Sequence, residues 1–391
     1  MMRSMFSGVS GLRAHQTRMD VIGNNIANVN TVGFKSGRVT FQEIFNQTLR
    51  GAGAPDVATG RGGMNPMQVG LGIGVGSVDT ITTRGSLQRT DNPTDLSIEG
   101  EGFFVVKGGG GDTYRFTRAG NFGIDKVGNL VTGGGFNVYG WQQYTINPTT
   151  GAVTFDTEKQ IEPINLYSDV YNKNKRMIAA RATENAVFAG NLDATKPQVT
   201  TSGTPQFSIP VTVYDALGNG YKLNVNFWKT NVTTSGTTWT WQVTVASGGS
   251  TTANGTIDFN LAGQAVSGLT ADIVLVPDSS VGTSNVNIKL DFTKLTMYAA
   301  DSSAKPTNVD GYPTGNLVTF NIGSDGIITG IYSNGQQQPL GMIALASFEN
   351  PAGLQKVGDN MFIPTTNSGD FKKGVKAGSE GVGNLNPGTL E

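Results

Sequence analysis

The sequence predicts a mainly β fold: an N-terminal amphipathic helix and an extended connector, then two β-rich domains of sandwich or barrel type, the second inserted in the first. Three observations carry this expectation. Fifty-five glycines among 391 residues, with long Thr-, Ser- and Asn-rich stretches, describe many short strands joined by tight turns. Apolar residues recur with a helical period only before residue 30; beyond it they alternate or form short runs. Long alternating strands fill the middle of the chain, and the stretches on either side share a different character of short strands.

Charge and composition exclude several functions. With 28 basic and 29 acidic residues the formal charge is −1, so no electrostatic footprint argues for nucleic acid or an anionic membrane. The absence of cysteine removes disulfides, thiol catalysis and Cys-based metal centres. No apolar run approaches the ~18 residues of a membrane span. The opening MMRSMFSGVSGLRAH lacks the continuous apolar region of a secretory signal despite Arg3, so composition alone reads as cytosolic.

The helix is expected over 1–30. Met5, Val9, Leu12, Met19 and Ile26 recur at spacings of three, four or seven, with Val21 and Ile22 beside them, which makes an apolar stripe seeking a partner. Gln16 and Gly23 interrupt it, and Gly8 and Gly11 inside the run each cost about 1 kcal/mol relative to Ala, so the isolated helix is marginal. Asn24, Asn25, Asn28 and Asn30 then compete for or cap backbone groups. Thr31 and Val32 favour extended chain and Gly33 is free to adopt positive φ, so the helix turns into a strand here.

Residues 31–70 read as a connector or hinge. Val39, Phe41, Ile44, Phe45 and Leu49 suit a strand or a short helical turn, and 51–63 is turn chemistry without an apolar face. Because this connector separates helix from β domain, the stripe is expected to meet other subunits rather than its own β domain. GLGIGVG at 70–76 has no phosphate-loop register and no following Lys-Ser/Thr; it reads as a strand with one glycine face. The run 108–111 reads as a hairpin tip.

Short strands are expected at 77–83, 96–98, 103–107, 114–118, 122–124 and 130–131, and again after Asn316, with Asp325-Gly326 and Asn334-Gly335 as turns. In the middle, 208–214 and 221–229 form a hairpin through DALGNG, where Gly218 and Gly220 permit the turn and Leu223, Val225 and Phe227 share a face. Strands at 239–245, 255–259, 272–276 and 286–292 complete the inserted domain.

Candidate chemistry is sparse. His15, the single histidine, falls on the helix away from any carboxylate or serine constellation. Asp125, Asp310 and Asp325 sit near glycines but open no calcium-binding loop. Glu99 and Glu101 share a strand face, as acid/base work on a glycan requires, but Gly100 and Gly102 point to an exposed turn. Trp239 and Trp241 share a face too, which suits sugar stacking or, more plainly, core. Asn46, Asn231 and Asn254 open Asn-x-Thr triplets that mean little in so Thr-rich a chain.

The block NNIANVNTVGFK, with Asn24, Asn25, Ile26, Asn28, Thr31, Gly33, Phe34 and Lys35, resembles the N-terminal signature of the bacterial flagellar axial proteins of rod, hook and hook–filament junction. TFQEIFNQTL and NPMQVG resemble the hook subunits in particular. DLSIEGEGFFVV and RFTRAGNFGIDKVGNLVTGGGFNVYGW resemble the first outer domain common to rod and hook proteins, and ENPAGLQKVGDNMFIPTTNSG resembles the returning half of that domain in hook proteins. The resemblance implies a structural, non-enzymatic protein without cofactors or metal, a homo-oligomer forming a flexible curved tube that acts as a universal joint. It implies a helix of the inner tube at 1–30, a discontinuous first outer domain at 71–150 and 298–368, and an inserted second one at 151–297. The implied interface is Met5, Val9, Leu12, Met19, Ile22 and Ile26. Implied partners are the rod, the hook cap, the junction proteins and the export apparatus, with no nucleic acid and no membrane insertion. The implied place is the hook outside the cell, reached without a cleaved signal, which overrides the cytosolic reading. In the family, a segment like GVKAGSEGVGNLNPGTLE leads into a second amphipathic helix, so 369–391 reads as a linker toward a helix that pairs with the first. A rod or junction subunit is the alternative within the class; a secreted β-rich adhesin or glycan-acting protein is the alternative outside it.

Overall fold

The computed structural model describes residues 2–55, 60–108, 113–147, 150–200, 203–379 and 381–391. Two compact units divide the chain: Met1–Lys173, Phe320–Gly330 and Gln338–Glu391 form the first, Asn174–Thr319 and Ile331–Gln337 the second. The divisions expected at 150 and 297 thus fall further along the chain.

In the first unit, α1 spans Met2–Ala27. After it the chain forms a two-stranded ribbon. β1 (Gly37–Glu43) continues into β2 (Asn46–Arg50), and the chain returns through β3 (Met67–Gly70) and β4 (Ile73–Thr80), β2 pairing with β3 and β1 with β4, all antiparallel. Sixteen residues of the connector expected at 31–70 therefore lie in paired strands, and residues 56–59 lie outside the described ones. Sequence patterning missed the pairing because none of the ribbon's strand residues is fully buried, so no face demands an alternation of apolar and polar residues. The strand expected in GLGIGVG is present from Ile73, and its glycine face has a use. A Cβ on Gly72 would lie 2.4 Å from Ser10 Oγ, so only glycine lets β4 approach the helix there.

The core of this unit is built on Phe103–Lys107 and Gln337–Ala346. Leu345 and Ala346 pair with Phe104 and Phe103, and Asn137–Trp141 pairs with both strands. Phe103, Val105, Phe116, Trp141, Met342, Ala344, Phe348 and Phe362 pack together, with Phe116 and Phe348 edge to face at 4.8 Å. Residues 369–391 are not a linker here. Val375–Lys376 adds to Gln337–Ala346, Asn384–Pro387 pairs with Leu96–Glu99, and Thr389–Leu390 pairs with Gln88–Arg89. Glycine-rich sequence concealed these strands because the few buried apolar residues of 369–391, Ala377, Val382 and Leu385, form no strand period and the pairing comes from strands far along the chain. The part of the expected hairpin tip at 109–111 lies outside the described residues.

The second unit is a sandwich of two five-stranded sheets. One runs Phe207–Tyr214, Gly220–Thr233, Gly236–Val245, Asn254–Asn260, Ala265–Ser267; the other runs Gly249–Ser250, Thr270–Pro277, Val286–Tyr298, Asn185–Asp193, Lys305–Val309. The expected hairpin is present in register, Leu223, Val225 and Phe227 facing inward. Between the sheets Phe227, Trp241 and Phe188 close around Phe292, with ring centroids 6.1, 5.6 and 5.3 Å from it. Asn185–Asp193 escaped the sequence reading although it pairs in parallel with Val286–Tyr298 at the centre of its sheet. Its Ala, Gly and Asn residues are poor strand formers rescued by tertiary pairing.

The same five-residue turn recurs in both units. In DKVGN, Asp125 Oδ1 accepts from the backbone N–H groups of Val127, Gly128 and Asn129, and Oδ2 from the Asn129 amide at 2.8 Å. In DALGN, the fully buried Asp215 accepts from Leu217 and Asn219 N–H at 2.9 Å, from the Asn219 amide at 2.9 Å and from Tyr221 Oη at 3.0 Å. Burial acts to raise the Asp215 pKa, but the Asn219 amide and N–H, the Tyr221 hydroxyl and the Leu217 N–H outweigh it, and the carboxyl titrates below its ordinary range. A depressed folded pKa gives stability that is present above the unfolded value, about 3.9, and is lost as pH falls through the folded one. The urea midpoint of the second unit, measured from neutral pH downward, should therefore drop below about pH 4. Asp215→Asn should make that drop shallower; an unaltered pH profile would remove Asp215 from the account.

Candidate assembly surface and helix exit

α1 presents two nearly opposite faces. One docks on the ribbon through residues 10, 14, 18, 21 and 25. Ala14 is buried against it, the ring of His15 meets Phe41 edge-on at 5.2 Å, and the Arg18 guanidinium lies over the same Phe41 ring at 5.9 Å. Val21 closes on Gly37, and Asn25 exchanges two hydrogen bonds of 2.9 Å with the Gly37 main chain. At about 100° per residue, the middle of that face lies roughly 120–180° around the helix from Met5, Val9, Leu12, Met19 and Ile26 and roughly 80° from Ile22. Met5, Val9, Leu12, Met19 and Ile26 accordingly point away from the ribbon and are 45–73% exposed, while Ile22, beside the docked face, is 37% exposed. Gln16 and Gly23 interrupt the row, but these side chains leave an exposed apolar seam along α1.

The residues after the helix form a strap that fastens it to the first unit. Asn28 donates to the Asn24 carbonyl at 2.9 Å and Oδ1 at 3.0 Å, and accepts from Thr31 Oγ1 at 3.1 Å, closing the last turn. Asn360 Nδ2 donates to the Val32 carbonyl at 2.8 Å. Gly33 N–H donates to the Glu391 carbonyl at 2.8 Å. Lys356 Nζ donates to the Lys35 carbonyl at 2.7 Å and lies 5.1 Å from the centre of the Phe34 ring. Gly33 sits at φ +70°, and a Cβ on it would lie 2.4 Å from Ala119 N.

At the end of the strap, three charges are buried together. The Glu391 carboxylate accepts from Lys35 Nζ at 2.5 Å and Arg118 Nη1 at 3.1 Å, and all three side chains are at most 4% exposed. Gly85 N–H adds a bond of 2.7 Å to Glu391, Lys35 also donates to the Thr83 carbonyl at 3.0 Å, and Arg118 donates to the Gly100 carbonyl at 2.7 Å. Burial holds both Lys35 and Arg118 below their ordinary pKa values despite the carboxylate beside them. Burial works against the Glu391 charge as well, but the donors from Lys35 and Gly85 and the charge of Arg118 prevail, and its carboxyl lies below the usual range.

The structure thus brings the Asn24–Lys35 signature into one locking segment and leaves the seam residues exposed among the described residues. Sequence reasoning missed the remote partners Arg118, Lys356, Asn360 and Glu391. One signal was available: Glu391 is the single charge in the stretch 381–391. The other candidates resolve simply. Trp239 and Trp241 are core residues, whereas Glu99 and Glu101 are exposed at a turn, with Glu99 Oε1 3.1 Å from Arg84. The oxygens of Asp125 and Asp310 are occupied by N–H donors.

Gly33→Ala should destabilise the first unit by ~2–4 kcal/mol, because the left-handed backbone and the contact with Ala119 must both be relieved. Scanning calorimetry should show a lowered first-unit transition beside an unmoved second-unit one. Equal transitions in variant and wild type would mean that the strap is not closed in solution.

Three family models match the chain: the flagella basal body rod protein over residues 5–35, the flagellar hook protein FlgE/F/G D1 domain over 97–162, and the flagellar basal body protein FlaE D2 domain over 182–312. The flagellar hook protein FlgE of Borreliella burgdorferi is 40% identical over 418 residues, covering 100% of this chain and 90% of that one. That of Treponema pallidum is 37% identical over 439 residues, covering 100% and 91%. The crystal structure of Helicobacter pylori flagellar hook protein FlgE2 shares the fold, with a TM-score of 0.52 at 16% identity over 78% of this chain and 100% of that one. With exposed seam, strap and two β units all within these matches, the chain belongs to the flagellar hook protein FlgE family, structural subunits of the bacterial flagellar hook.

Proposed function

We propose that copies of this chain polymerise through the outward face of α1, with Met5, Val9, Leu12, Met19, Ile22 and Ile26 packing against the helices of neighbouring subunits in an inner tube. The observation that carries this reading is the exposure of those six side chains on the face turned away from the ribbon. Fully burying a large apolar side chain contributes roughly 1.5–3 kcal/mol, so the seam holds a gross driving force of order 10 kcal/mol per subunit. The helix-exit signature, Asn24 to Lys35, sets the direction in which that seam leaves the β domains.

The β units then form the outer parts of the tube, a discontinuous first domain and an inserted second one. Their low charge and Thr- and Asn-rich outer strands suit contacts that exchange as the tube bends, the property a universal joint between rod and filament requires. The rod, the hook cap, the junction proteins and the export apparatus are the partners, and the chain reaches the hook outside the cell without a cleaved signal. It carries out no catalysis; its work is mechanical.

The test is a chain carrying Met5→Glu, Leu12→Glu and Met19→Glu. These sites are solvent-exposed, so circular dichroism and melting of the monomer should match wild type, while sedimentation should show no polymer. Electron microscopy of cells making only this variant should show rods without hooks. Normal hooks would overturn the assignment of the seam.

A further inference from the structure

At the end of the strap two buried cations, Lys35 and Arg118, both bind the side-chain carboxylate of Glu391. We infer that Glu391 is the key of a latch, so that seating of the segment 384–391 is the condition for the strap 32–36 to lie against the β domain, and helix exit and distant segment are held or released together. The inference concerns the single chain and does not depend on what the outer face of α1 binds.

The segment is placed by main-chain pairing, Asn384–Pro387 along Leu96–Glu99 and Thr389–Leu390 along Gln88–Arg89, by burial of Leu385 and by a 2.6 Å hydrogen bond between the Ser97 and Thr389 hydroxyls. That pairing delivers the Glu391 carboxylate between the cations and its main-chain carbonyl to Gly33 N–H. Without it, Lys35 Nζ would keep only the Thr83 carbonyl, and Arg118 only the carbonyls of Ile98 and Gly100. Arg84 adds unfavourably to the field at Arg118 and the exposed Glu101 relieves it in part. Buried cations stripped of their counter-charge are strongly destabilising. Arg118 cannot leave easily: it follows a core strand and its guanidinium stacks 5.4 Å from Phe103. Lys35 can, because the strap carrying it is held by hydrogen bonds and the contact of Phe34 with Lys356, so its ammonium reaches water by lifting the strap.

Amide hydrogen exchange of the full chain, resolved by peptide, tests this. In Glu391→Gln, amides 32–37 should exchange about tenfold faster or more, together with 88–90 and 384–390, while 103–106 and 209–245 keep wild-type protection. Lys35→Met alone should stay within about threefold of wild type, since Glu391 still neutralises Arg118. The double variant Lys35→Met/Glu391→Gln should exchange at 32–37 at least about threefold more slowly than Glu391→Gln, because the uncompensated lysine is gone, while 384–390 stays fast because Arg118 still lacks its counter-charge. Wild-type strap protection in Glu391→Gln would overturn the latch. So would a double variant as fast as Glu391→Gln, or loosening that spreads to 103–106.

Discussion

Lys35, Arg118 and Glu391 meet where three distant parts of the chain cross, and the position of the helix relative to its β domain depends on that meeting. α1 buries only Ala14 among its described residues, so the hydrophobic core does not hold it. Its place is set by the ribbon beneath it and by the strap behind it. Both are largely polar fixtures: the Asn25–Gly37 bond pair on one side, the buried ion pairs and main-chain bonds on the other. Such contacts add little net stability compared with apolar burial, but they are directional and leave few alternative arrangements.

The two kinds of force are divided cleanly over the first unit. Aromatic and aliphatic side chains from Phe103–Lys107, Asn137–Trp141 and Gln337–Ala346 are spent on a core that does not involve the helix. The apolar side chains of α1 that could have joined a core are instead turned outward, because their spacing puts them on the side of the helix away from the docked face. A subunit that must remain folded both before and after it joins a polymer needs this separation, because its internal stability then does not compete with its interface for the same residues.

Much of this was legible in the sequence, and what was missed has a common cause. The helix, its seam and the helix-to-strand signature could be read because each is a local pattern of period or composition. The strands with clear alternation, such as Phe207–Tyr214 and Gly220–Thr233, appeared within a residue or a few of their observed bounds. The pairing of the ribbon, the strand Asn185–Asp193 and the strands of 369–391 did not, because the partner strands that supply their hydrogen bonds lie far along the chain. The same holds for the strap: Lys35 could be seen as part of a signature, but nothing in its neighbourhood announces that its counter-ion lies 356 positions away.

The glycines of α1 fit the same logic. Gly8, Gly11 and Gly23 have open space around them, so no contact within the chain requires their smallness, yet each weakens the helix by roughly 1 kcal/mol relative to Ala. Three such residues in 26 leave a helix whose persistence rests on the ribbon and the strap rather than on intrinsic propensity. A stiffer helix would present the same seam without needing either fixture. With a marginal one, the seam becomes a defined surface only where Asn25, Ala14 and Ser10 meet the ribbon and the strap is closed, so that the conformation competent to assemble is tied to the folding of the β domain behind it.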